Sequence, residues 1–212
     1  MPNELRGFYK VSGAALVASG ALFLANAVLD LQAGQPPSGG AETLAWAVSR
    51  TRIFEAESEV LFFAAMCLVP AVVAIYRSLE ATDRTKATIG CGIIAVTIPI
   101  FAVLDIFLGR LAWPVYGIGV ATADLAQFVV AVYYGGMHSI NECMAIATVI
   151  LSVAMARHAA YGKAIAFLGV ATAAADVIGS FPWAIGPVPT LVCQAFFSGW
   201  FVAVGSKLYR IS

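Results

Sequence analysis

The sequence predicts an all-α polytopic membrane protein: one domain over residues 1–212, built as a transmembrane bundle of six spanning helices with an extra interfacial or re-entrant segment before helix 4. Three observations carry that expectation. The chain is 61% hydrophobic and 11% charged, whereas soluble domains are about a quarter charged, so the composition suits lipid as solvent. Apolar runs recur near the roughly 20 residues needed to cross a bilayer. Basic residues gather on alternate loops, as the positive-inside rule requires.

The first run, Val11–Leu29, follows Arg6 and Lys10 and carries Ala25-Asn26-Ala27 near its end, which resembles a signal peptide. It exceeds the usual apolar length of such a peptide, so it is assigned as helix 1, about 11–31. A Gly/Pro/Ser-rich loop, Gln32–Glu42, follows. Helix 2 is expected over about 59–76, with its helical pattern beginning outside the bilayer in Ala45–Ser58. Helix 3 covers about 87–109, and Pro99 within it removes a backbone donor and kinks it. Asp124–Arg157 carries only Glu142 as an internal charge. As one helix it would run near 50 Å at about 1.5 Å per residue, longer than a bilayer core. Gly135-Gly136 is the natural break. The expected layout is therefore an interfacial or re-entrant segment at 118–134 and helix 4 at 137–156. Helix 5 (164–184) and helix 6 (189–206) flank the Pro- and Gly-rich Pro182–Pro189.

Loop charges then fix the orientation. With the N-terminus inside, Arg6, Lys10, Arg77, Arg84, Lys86, Arg157, Lys163, Lys207 and Arg210 fall on the cytoplasmic side, against Arg50, Arg52 and Arg110 outside. Splitting 118–156 into two full spans would throw Arg157, Lys163, Lys207 and Arg210 outside. The expectation is a multi-pass protein of the cell membrane with both termini cytoplasmic, whose first partner is the lipid bilayer.

Several classes drop out. Lys+Arg and Asp+Glu both number 12, leaving no basic patch for nucleic acid. Cys67, Cys91, Cys143 and Cys193 lie in apolar stretches with no C-x-x-C spacing, so they read as small hydrophobes. No mid-membrane lysine offers a Schiff base, and no serine stands in a nucleophile elbow. Trp113, Tyr116, Tyr133, Tyr134 and Trp183 cluster near the expected outer interface, as an aromatic belt does.

The acids gather opposite the bases. Asp30, Glu55, Glu57, Glu59, Asp105, Asp124, Glu142 and Asp176 all fall in or beyond the outer halves of the expected helices. Helical spacing aligns Ser12, Ser19, Asn26 and Asp30 on helix 1, and His138 with Glu142 on helix 4. It also aligns Gly169, Thr172, Asp176 and Ser180 on helix 5, and Thr190, Gln194 and Ser198 on helix 6. Close packing of membrane helices alone accounts for small and hydroxyl residues at this spacing. A solvated helix end paired with Arg50 and Arg52 accounts for Glu55, Glu57 and Glu59. Asp105, Asp176 and the pair His138/Glu142 resist those readings, because ionisable groups inside a membrane are costly and face a bundle interior or water.

The expected site is an outward-facing acidic cavity for a small cationic or protonatable ligand, formed by Asp105, His138, Glu142 and Asp176, with Glu59 at the mouth and Asn141 and Gln194 as further polar lining. A metal ion held by His138 and Glu142 with aspartates is the enzymatic alternative, but two histidines in the whole chain do not make a three-histidine zinc site or a bis-histidine haem site. The third expectation is a non-catalytic accessory subunit whose polar stripes only pack. With modest length and no inverted repeat, a homo-oligomer or partner subunit is also expected.

Three segments resemble a known family: Arg6-Gly-Phe-Tyr-Lys-Val-Ser-Gly13, Ser49-Arg-Thr-Arg-Ile-Phe-Glu55 and Ala74-Ile-Tyr-Arg-Ser-Leu-Glu80. They are similar to a large set of prokaryotic six-helix membrane proteins defined as a domain of unknown function. The resemblance implies six helices and carries over no functional residue.

Overall fold

The first helix ends where backbone chemistry forbids its continuation. The computed structural model describes residues 3–211. Helix α1 (Asn3–Ala33) stops at Gly34, whose φ of +71° only glycine adopts without strain, and whose N–H reaches back to the Asp30 carbonyl at 3.0 Å. Pro36 and Pro37 then supply no backbone donor. A short helix, α2 (Gly40–Ser49), leads through Arg50 into α3 (Thr51–Gly109).

At 59 residues, α3 would be about 90 Å long if straight. It is not straight. Asp83, at φ −154° and ψ 83°, breaks it into arms 51–82 and 84–109. The arms fold back on each other, because the Ser58 hydroxyl lies 3.6 Å from where a Cβ on Gly109 would sit. Asp83 caps the second arm: its Oδ1 accepts the Lys86 N–H at 3.1 Å, and its carboxylate pairs with the Lys86 ammonium. The remaining helices are α4 (Ala123–Met155), α5 (Gly162–Gly179), the single turn α6 (Pro182–Ile185) and α7 (Pro187–Ile211).

The break expected at Gly135-Gly136 is absent, since α4 runs through it as one helix of 33 residues. Glycine inside a helix costs only about 1 kcal/mol relative to alanine, which tertiary packing easily offsets. Gly136 also has a packing reason. A Cβ there would come within 2.4 Å of the Leu104 side chain, so the glycine lets α4 approach the second arm of α3. Two other boundaries shift. The helical turn expected in 45–58 is divided at Arg50 between α2 and α3, and the fifth helix ends at Gly179 rather than near 184.

Among the described residues, five helices are long and apolar enough to cross a membrane: α1 from Leu5, α3, α4, α5 and α7. The protein is thus a helical bundle of the multi-pass membrane kind. Contacts run α1–α3–α4–α5–α7 and back to α1, closing a ring. Apolar side chains such as Phe63, Ile106, Phe167 and Val192 remain exposed on its outside, where lipid tails suit them. In lipid, tight backbone contact replaces the hydrophobic effect as the cohesive force. Helices α1 and α7 show it: a Cβ on Gly13 would meet the Gly205 carbonyl at 2.7 Å. The Ser19 hydroxyl adds an interhelical bond to the Ala64 carbonyl at 2.8 Å.

Candidate functional site

Where α1 ends, three helices and two connections enclose a polar recess. Asn26 and Asp30 share a face of α1, one turn apart. Helix α4 presents Tyr133, Tyr134, Met137 and Asn141 toward them, and α7 presents Thr190 and Gln194. The connections close over the top: Gln35 Nε2 donates to the Pro182 carbonyl at 3.1 Å, and Gln127 Nε2 donates to the Ser38 carbonyl at 2.9 Å. Trp46 anchors α2 by donating to the Ala33 carbonyl at 3.0 Å.

The recess has a volume of about 220 Å³ and is walled by Asp30, Tyr134, Trp183, Val130, Pro187 and Thr190 among others. A deeper pocket of about 50 Å³ shares Asp30, Tyr134 and Thr190 with it and adds Tyr133, Asn141 and Gln194. The Tyr134 hydroxyl donates to Asp30 Oδ1 at 2.9 Å. None of the residues lining either space is Lys, Arg or His. The Asp30 carboxylate therefore faces the recess without a basic neighbour in its walls.

Of the residues expected from sequence, Asn141 and Gln194 line the deeper pocket. His138 and Glu142 stand together, with Nε2 3.5 Å from Oε1. His138 Nδ1 lies 2.8 Å from the Ser180 carbonyl, to which it donates. A carbonyl only accepts, so Nδ1 carries the hydrogen in that contact and the ring is held with Nε2 toward Glu142. The His138 ring packs against Phe181 and Trp183, with centroids 4.9 and 5.6 Å away, so it braces a wall of the recess. Asp105 lies on the second arm of α3, where Glu59 and Arg110 are the charges acting on it. Its Oδ1 takes no hydrogen bond, and Glu59 is exposed. Asp176 is only 3% exposed, and its Oδ2 has no hydrogen-bond partner among the described residues. It lines neither space.

Among the described residues, no group of three His, Cys, Asp or Glu side chains is placed to hold a metal ion. A metal-dependent enzyme built on His138 and Glu142 lacks its third protein ligand there.

Two acids matter more than their sequence context suggests. Asp30 carries the recess, and the alignment of Asn26 with Asp30 was its signal. Glu57 is 1% exposed, so it does not pair with Arg50 or Arg52 at a solvated helix end; it is Glu55 that binds Arg52, at 2.9 Å. Phe54, Leu61 and Leu68 mark the buried stripe of the first α3 arm, and Glu57 falls within that stripe. The Tyr133 hydroxyl approaches both Glu57 and Asn26, yet neither Glu57 oxygen nor Asn26 Oδ1 meets hydrogen-bond geometry.

Compared with protein-family models, curated proteins and solved structures, the chain matches none.

Proposed function

We propose that the protein crosses the cell membrane six times and binds, for sensing or passage, a small organic cation such as a protonated amine in the Asp30 recess. The crossing count treats the α3 arms as separate spans, each long enough at 32 and 26 residues between Thr51, Asp83 and Gly109. Both termini then lie in the cytoplasm, and the recess opens to the opposite side.

One observation carries the ligand class: a carboxylate set between aromatic rings, with no basic side chain in the walls. A negative group supplies charge, and Tyr134 and Trp183 supply ring faces, which attract cations by about 0.5–2 kcal/mol each. The volume, about 220 Å³, suits a ligand smaller than a typical drug. Asn141 and Gln194 supply polar contacts below. His138 orients the wall through Ser180 and Phe181, with Glu142 beside it at the rim. Glu59, exposed at the start of α3, contributes negative potential that draws a cation toward this end of the bundle. The wider pattern of bases on one side and acids on the other supports the same reading.

The test is a thermal titration of the purified protein with methylammonium and tetramethylammonium, using uncharged isosteres as controls. A ligand at roughly 100 times its Kd stabilises by about 2.7 kcal/mol. Asp30→Asn should abolish that stabilisation while the protein stays folded, and Trp183→Ala should weaken it. An equal response in wild type and Asp30→Asn overturns the assignment.

A further inference from the structure

We propose that Glu57 and Asn26 form a second site, behind Tyr133, for a small monovalent cation with the hard-oxygen preference of sodium. The proposal starts from a deficit of donors. Glu57 is 1% exposed and Asn26 is 8% exposed, yet Glu57 Oε1, Glu57 Oε2 and Asn26 Oδ1 all lack hydrogen-bond partners among the described residues. Buried polar atoms are almost always satisfied, so three orphaned oxygens on two residues that share Tyr133 as a neighbour call for one explanation. All three are acceptors.

Among the described residues, no cationic side chain acts on Glu57. The groups acting on Glu57 are Asp30 from α1 and Tyr133 from α4, and no Lys or Arg is among them. On its own arm Arg52 is exposed and engaged with Glu55. Desolvating a carboxylate without a counter-charge costs several kcal/mol or forces it to take up a positive species. A proton shared between Glu57 and Asn26 is the competing occupant; it leaves the Tyr133 hydroxyl as the donor for the second carboxylate oxygen, and that contact does not meet hydrogen-bond geometry. A bare cation bonds to several oxygens at once and serves all three, with the Tyr133 oxygen as a fourth. One carboxylate with neutral amide and phenol oxygens matches a single positive charge. The amine recess takes its ring faces from Tyr134 and Trp183, and Trp183 plays no part in the Glu57 site, so Trp183→Ala separates failure of one reading from failure of the other.

The experiment follows thermal stability of the purified protein as sodium chloride replaces N-methylglucamine chloride at constant ionic strength and pH. The expected result is a saturable rise in Tm with sodium in wild type, absent in Glu57→Gln. Asn26→Leu guards against a misfolded Gln variant and should shift the sodium midpoint to higher concentration by about tenfold or more, the equivalent of losing one ligand worth about 1.4 kcal/mol. Trp183→Ala should retain the sodium response while its response to amines weakens. A wild-type Tm indifferent to sodium overturns the proposal. So does an equal sodium response in wild type and Glu57→Gln, and so does stabilisation by acid alone without sodium dependence.

Discussion

Asp83 shows how one side chain decides the path of a long apolar chain. Between Thr51 and Gly109 there is no proline at the turn, and Pro70 and Pro99 lie within the arms. The reversal depends instead on a residue that leaves the helical region and then caps the next helix through the Lys86 N–H. The side chain of Lys86 first, and its backbone N–H second, hold the Asp83 carboxyl below its ordinary range. A group whose native value is depressed stabilises fully above its unfolded value, and that contribution fades as pH falls through the native value. Asp83→Ala should therefore lower Tm by a few degrees near neutrality. The gap from wild type should close as the buffer is taken into the acid range where the cap protonates. A gap independent of pH would show that Asp83 acts only through backbone preference.

Helix α4 sets local propensity against packing, and packing wins at one glycine but not at its neighbour. A Cβ on Gly135 meets nothing within 4 Å, whereas one on Gly136 meets Leu104. Gly135→Ala should stabilise by about 0.5–1 kcal/mol through helix propensity. Gly136→Ala should lose that gain to crowding, at a cost of about 1–3 kcal/mol, and Leu104→Ala should restore part of it in the double variant. Chemical denaturation of the four proteins measures both effects. The same contrast explains what was legible in the sequence. Apolar run length marked where α1, α5 and α7 lie, because lipid solvation acts on every residue of a span. The Gly-Gly pair could not be resolved, because a breaking pair and a packing pair have identical composition and differ only in what stands opposite. Glu57 was obscured for a related reason. Three glutamates in five residues look like a solvated end, and only the register of Phe54, Leu61 and Leu68 separates the buried one. His138 and Glu142 were legible as a pair because their spacing places them one helical turn apart. Whether they meet Asp105 and Asp176 depends on the ring order of the helices, which no local pattern encodes.

At the scale of the molecule, charge and helix length make one statement about orientation. A helix of 33 residues, α4, spans about 50 Å against a hydrocarbon core of about 30 Å, so its ends must leave the bilayer. The excess at its start is accounted for by packing: the Gly40 end of α2 lies against Ala123 and Gln127, forming a polar cap over the recess. In the proposed six-crossing arrangement, a continuous helix with its first turns in that cap crosses once, which keeps Arg157, Lys163, Lys207 and Arg210 on the side of Arg6 and Lys10. A second crossing inside 123–155 would need a reversal, and the helix contains none. Alkaline phosphatase, active only outside the cytoplasm, should therefore be active when fused after Pro37 or Gly117. It should be silent after Asp83, Ala159 or Ile211, where a cytoplasmic fluorescent reporter should mature instead. Activity after Ala159 together with silence after Asp83 would mean that α4 does not carry the chain across once. Arg157, Lys163, Lys207 and Arg210 would then lie outside, and the single-crossing geometry that opens the Asp30 recess away from the cytoplasm would fail with them.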